Sequence, residues 1–220
     1  MKTSLIRGAA PLGLPHTLSR APLRRRAPFA WLARCASQPL SLITSRLVAL
    51  GVAALAAWGL KRHYADARPD DLLWILSPTA WLVGVTAGAT FIFESGEGYL
   101  SREHLFLIEK SCAGINFMIA AFGMLVFALV HRAGSGLDAA QVLGASLLAS
   151  YSAAIVVNTV RIAIAMWLAA HPVALSTLRA ADVHRLEGIA VYFGGLVLLH
   201  ELVRVFDRTV VGRAFQARRQ

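Results

Sequence analysis

The sequence predicts an all-α fold, a polytopic transmembrane helical bundle with about five membrane helices and a range of four to six. Composition is the first observation: 57% of the 220 residues are hydrophobic and only 15% are charged, an apolar excess unusual in a soluble domain of this length. The second is segmentation, because apolar runs near the ~20 residues that cross a bilayer recur along the chain. The third is charge placement. Lys and Arg outnumber Asp and Glu by 22 to 12, and the excess sits at the two ends. There it reports topology and contact with anionic membrane lipid rather than with nucleic acid.

Residues 1–40 carry Arg7, Arg20, Arg24, Arg25, Arg26 and Arg34 and no acidic residue, the first being Asp66. Transit peptides share that composition, but the five prolines in this stretch favour a disordered basic segment. Residues 41–206 form the predicted transmembrane domain, and 207–220 a basic cytoplasmic tail. Within the domain, Leu42 to Leu60 is the first spanning run, closed by the basic and aromatic flank Lys61-Arg62-His63-Tyr64. A second run, Leu72 to Phe93, contains Pro78, which either kinks a span or separates an interfacial helix (Leu72 to Ser77) from a shorter one. Glu94 to Ser111, with four glutamates and two glycines, reads as an exposed loop and then a short amphipathic approach to Cys112. The third run is Ala113 to Val130. The fourth, Leu137 to Ala170, exceeds one crossing and must tilt or protrude. A loop through His171, Pro172, Arg179, Asp182 and His184 leads to the fifth, Gly188 to Val205.

Because successive spans alternate direction, the start of the third, the late part of the fourth and the approach to the fifth share one membrane face, whatever the absolute orientation. Cys112, Arg161 and His184 occupy those places. The arginines at 204, 208, 213, 218 and 219 follow the fifth span and make that end cytoplasmic, so the shared face is external. Two full crossings before Cys112 would put the arginine-rich N-terminus outside as well. Either Leu72 to Phe93 does not cross once and fully, or an element within the first 40 residues crosses, or those charges are overridden.

A thiol attacks as thiolate, and its ordinary pKa of ~8.5 rises with apolar burial, so a nucleophilic Cys112 needs positive charge nearby. Arg161 supplies it. A guanidinium with a pKa above ~12 is no base, which leaves it to stabilise a thiolate, an oxyanion or a substrate carboxylate. A charge inside a spanning run is costly and is usually functional or paired. His184 titrates near neutrality and suits general acid–base work. The three suffice for acyl transfer through a thioester. Asn158, three residues before Arg161, shares its helix face and either supports it or bonds between helices. Glu187 orients the imidazole or caps the fifth helix. Cys35 and Cys112 lie in contexts too different for a disulfide framework. His131, His171 and His200 lack ligand spacing, so no metal and no cofactor is expected.

Cys112-Ala-Gly-Ile-Asn-Phe117, Asn158-Thr-Val-Arg161 and His184-Arg-Leu-Glu-Gly188, in that order across successive spans, resemble the exosortase/archaeosortase family. The Glu94-Ser-Gly-Glu-Gly-Tyr99 loop ahead of the cysteine is similar to its exosortase K branch. The match covers roughly Leu72 to Val205, with Ala113 replacing the commoner serine after the cysteine. The resemblance implies Cys112 as nucleophile, Arg161 and His184 as the other catalytic residues, and Gly114, Asn116, Asn158 and Glu187 in support. It further implies a cysteine transpeptidase or peptidase of the bacterial inner membrane with its active site on the periplasmic side. Its substrates would be exported proteins bearing a C-terminal sorting signal: a short motif, a transmembrane helix and a basic tail. A different class, a non-catalytic membrane subunit for envelope polysaccharide assembly or export, would instead leave Cys112 inert and pair Arg161 with an anionic group.

Overall fold

The computed structural model describes residues 40–171 and 180–217, and 81% of its described residues are helical. The chain forms α1 (Leu40–Asp66), α2 (Leu73–Ala87), β1 (Ile92–Glu94), β2 (Gly98–Ser101), β3 (Phe106–Ile108), α3 (Ile115–Leu129), α4 (Gly136–Ala170) and α5 (Ala180–Ala217). Among the described residues, four helices are long and apolar enough to cross a membrane: α1, α3 with its flanking turns (Lys110–Arg132), α4, and α5 over Arg185–Phe206. Large apolar side chains such as Leu55, Trp58, Phe127, Leu148, Phe193 and Leu202 point outward from these helices. Lipid is the solvent that makes such exposure favourable.

Each boundary has a local cause. α1 meets Pro69, which opens a short 3-10 turn over Pro69–Leu72. In α2, Pro78 has no N–H to give to the carbonyl of Trp74, and the hydroxyl of Tyr151 on α4 takes that place, donating to it at 2.7 Å. The tryptophan and tyrosine rings also stack, with centroids 5.9 Å apart. α2 stops at Gly88, whose φ of 65° lies in the left-handed region that favours glycine. α3 begins on Gly114, with φ of 70°. Ser135 caps α4 by accepting from the Asp138 N–H at 3.2 Å, and Asp138 places a negative charge in the first turn. Hydroxyls within α4 turn back on its own carbonyls, Ser150 to Leu147 and Thr159 to Ile155, whereas the buried Ser146 hydroxyl has no partner among the described residues.

The contacts orient the helices. Near its start, α1 meets the end of α3, where Arg46 donates to the His131 carbonyl at 2.9 Å. Near its close it meets the start of α3, where Lys61 Nζ donates to Asn116 Oδ1 at 2.7 Å. α5 descends α4 in the opposite sense, with Gly188 against Arg161 and Gly195 against Val157 and Phe117. The chain therefore enters α1 and leaves α5 at the same end of the bundle.

Three sequence expectations change. The run from Leu72 to Phe93 is not a full span: α2 has 15 residues, about 22 Å of helix, and the chain from Ala67 to Cys112 leaves and returns at one end. Among the described residues, the start of α1 and the close of α5 therefore lie at one end of the bundle and Cys112 at the other. The loop from Glu94 to Ser111 instead holds a three-stranded antiparallel sheet in the order β1-β2-β3, with Phe93 opposite Tyr99 and Leu100 opposite Leu107. Its hairpin turn is held by Asp70, whose carboxylate accepts from the Ser95 hydroxyl and the Gly96 N–H, both at 2.8 Å. The approach through His184 is not a loop, because α5 already starts at Ala180. The fourth run is one continuous helix of 35 residues, about 52 Å long, so it overshoots a bilayer as its length requires.

The main core lies between α2, α3 and the second half of α4. Leu72, Ile75, Leu76 and Val83 meet Ile115, Phe117, Met118 and Ile162 there, with Cys112 at the edge of the same cluster.

Candidate functional site

Cys112 ends a 3-10 turn, Lys110–Cys112, two residues before the N-cap of α3. It is 9% exposed. Its surroundings are polar on one side. Ser111 Oγ stands 3.8 Å from Cys112 Sγ and gives its single proton to Glu109 Oε1 at 2.7 Å. The hydroxyl oxygen is thereby left to accept from the thiol. Tyr64 packs over the same turn, with the Lys110 and Lys61 ammonium groups 5.2 and 5.7 Å from its ring centre. Lys110 Nζ also donates to the Ala65 carbonyl at 3.0 Å, which ties the cysteine turn to the end of α1.

From α4, Asn158 reaches the cysteine directly. It is wholly buried, and its Nδ2 donates to the Cys112 backbone carbonyl. Gly114 makes that approach possible: a Cβ there would stand 3.2 Å from Asn158 Cγ, and its positive φ disfavours any side chain. Asn158 Oδ1 accepts from the Tyr192 hydroxyl of α5 at 2.9 Å. The same hydroxyl accepts from Arg161 Nη1 at 3.3 Å, while the guanidinium lies 5.3 Å from the centre of the tyrosine ring. Gly188 leaves room for this arrangement, since a Cβ there would be 3.1 Å from Arg161 Nε. The half-buried Glu187 precedes Gly188 on α5, the residue that packs against Arg161.

The expected residues distribute as follows. Cys112, Gly114, Asn158, Arg161 and Glu187 come together at one end of the bundle, and Asn116 joins its rim through Lys61. Glu187 does not cap α5, because it lies more than a turn inside a helix that starts at Ala180. His184 has its backbone in α5 one turn before Gly188; its side chain, like residues 1–39 with Cys35, lies outside the described residues. The sequence reading missed Tyr192. Its signal was its register, for Gly188, Tyr192 and Gly195 recur at four and three residues and mark one helix face. The two glycines on that face let α5 approach α4 closely.

Chemically, the arrangement offers a nucleophile type of side chain at one end of the bundle, a cation able to balance developing negative charge, and a buried amide that holds the cysteine's backbone. Comparison of the chain with protein-family models, with curated proteins and with solved structures finds no match.

Proposed function

We propose that this protein is a membrane-embedded cysteine transpeptidase or peptidase, similar to the exosortases, that cleaves C-terminal sorting signals of exported proteins through a thioester. The observation that carries the reading is the linkage of Cys112 to Arg161: one hydrogen-bonded chain through Asn158 and Tyr192 joins the cysteine's carbonyl to the guanidinium. A charge within a spanning helix is expensive unless something uses it, and here the hydrogen-bonded chain ties it to the cysteine turn.

The reaction runs in two halves. His184 removes the thiol proton, and the Cys112 sulfur attacks the scissile carbonyl carbon, giving a tetrahedral oxyanion that Arg161 stabilises. The C–N bond breaks, the departing amine takes the proton from His184, and the acyl group remains on Cys112 as a thioester. An acceptor nucleophile, or water, then attacks the thioester carbonyl and restores the thiol. With the C-terminal arginines cytoplasmic by the positive-inside tendency, the Cys112 end would face the periplasm of a bacterial inner membrane. A substrate helix with a basic tail would cross in the same sense.

The test is co-expression with a tagged substrate carrying a sorting signal, with the new C-terminus read by mass spectrometry. Processing should occur with the wild-type chain and vanish with Cys112→Ala while the protein still inserts. Intact processing by Cys112→Ala would sink the proposal, and so would a wild-type chain that never processes.

A further inference from the structure

Resting on that reading, we infer that Tyr192 is a positioning residue for the cysteine: its hydroxyl sets the orientation of the Asn158 amide and thereby the placement of Cys112. The direction of the hydrogen-bond chain is forced at both ends. Arg161 can only donate, because a guanidinium has no acceptor. The Cys112 backbone carbonyl can only accept. Tyr192 Oη accepts from Arg161 Nη1 at 3.3 Å and so gives its own proton onward, to an Asn158 oxygen 2.9 Å away. With Oδ1 turned to Tyr192, the amide must present Nδ2 to the cysteine carbonyl, which is the bond present.

The chain thus reads Arg161 to Tyr192 to Asn158 to Cys112, and only a group that both accepts and donates can occupy its second position. Phenylalanine could fill the space. It would retain the contact with Phe117, whose ring centre lies 5.4 Å from that of Tyr192, and the packing beneath the guanidinium. What it would lose is the hydroxyl alone, both the proton given to Asn158 and the oxygen that accepts from Arg161. Without it the amide has no reason to prefer one face over the other, Arg161 loses a fixed acceptor, and the cysteine turn loses the donor that pins its carbonyl.

The experiment compares Tyr192→Phe and Asn158→Asp with wild type in two measurements. The first is iodoacetamide alkylation of Cys112 across pH in detergent-solubilised full-length protein, which requires no substrate. The second is kcat and KM for processing of a tagged substrate. Tyr192→Phe should change the alkylation rate about tenfold and displace its pH profile, and lower kcat by a similar factor with KM nearly constant. Asn158→Asp, which cannot donate to the carbonyl, should have at least as large an effect, and the double variant should be no worse than the more damaging single one. Thermal unfolding identifies a variant that merely loosens the bundle. Wild-type alkylation and wild-type kcat in a stably folded Tyr192→Phe protein would overturn the inference and leave the proposed function standing. Absence of processing by the wild-type chain would overturn the proposed function, with the alkylation result still deciding the role of Tyr192 toward the thiol.

Discussion

The two ends of the helical bundle are built on different principles. At the end that holds Cys112, polar groups from four helices bond to one another: buried and half-buried ones, Asn158 to the cysteine carbonyl, Tyr192 to Asn158 and Arg161 to Tyr192, and at the exposed rim Lys61 to Asn116. At the opposite end, small residues close the structure. Ala49, Ala133 and Ala139 form a compact cluster, and the polar bonds among the described residues there include the Ser135 cap and a bond from Arg46 across to the His131 backbone carbonyl. Stability alone does not call for the first arrangement. A buried polar chain in an apolar bundle must be complete to be tolerated, and its replacement by apolar packing is often neutral. The polar side chains gathered at one end are the feature on which the proposed function rests.

That contrast can be broken at several points. The largest expected effect follows from exchanging arginine for lysine at each end. Arg161→Lys keeps a charge but loses the planar fork that meets Tyr192, and should lower processing of a tagged substrate by about 10²–10³-fold. Arg46→Lys retains a donor for the His131 carbonyl and should leave processing within about twofold. Equal losses at both positions would abolish the distinction between the ends.

Helix packing gives the next test. A Cβ on Gly195 would lie 2.9 Å from both γ-carbons of Val157, and a β-branched side chain on a helix has little freedom to move aside. Gly195→Ala should therefore destabilise the protein by about 1–3 kcal/mol and reduce processing by prising α5 from α4. Gly144, in the other half of α4, meets nothing within 4 Å. Gly144→Ala should stabilise by about 0.5–1 kcal/mol, read as a rise in the midpoint of thermal unfolding in detergent.

A smaller effect belongs to the cap. Ser135→Ala removes the acceptor for the Asp138 N–H and should cost about 1 kcal/mol with processing per folded molecule unchanged. The smallest is a pH effect at Asp70, outside the spans. The Ser95 hydroxyl first, and the Gly96 N–H second, hold its carboxyl below the ordinary value. The contribution to stability is thus present in full above the unfolded carboxylate pKa of ~4 and is lost as pH falls through the lowered folded value. Asp70→Asn should flatten the acid limb of a plot of unfolding midpoint against pH. An unchanged acid limb would mean that the hairpin does not depend on this carboxylate.

Much of this was open to reading along the chain. Four of the five predicted spans appear as spanning helices, because a run of ~20 apolar residues is a statement about solvent that needs no partner. The common placement of Cys112 and Arg161 followed from counting crossings. Other features were hidden for physical reasons. Strands of three and four residues are too short to show alternation among glycines and glutamates, so the sheet read as a loop. The Leu72 to Phe93 run has a span's composition. Its fate depended on Tyr151 reaching the carbonyl that Pro78 leaves unbonded, and on Gly88 turning the chain back.

By itself, then, the sequence determined the class of fold, the main spanning helices, the sharing of one membrane end by the nucleophile-type cysteine and the intramembrane arginine, and the motifs behind the exosortase-like proposal. Those follow from hydropathy, charge and parity, which are properties of a chain read in order. Only the tertiary structure decided that the chain between Ala67 and Cys112 returns to the end it left, that α1 begins and α5 closes at the other end, and that Tyr192 couples Arg161 to Asn158 and the cysteine turn. Such features depend on which groups from distant segments meet within about 3 Å, and hydrogen bonds of that length are made across helices whose approach is set by glycines at 114, 188 and 195.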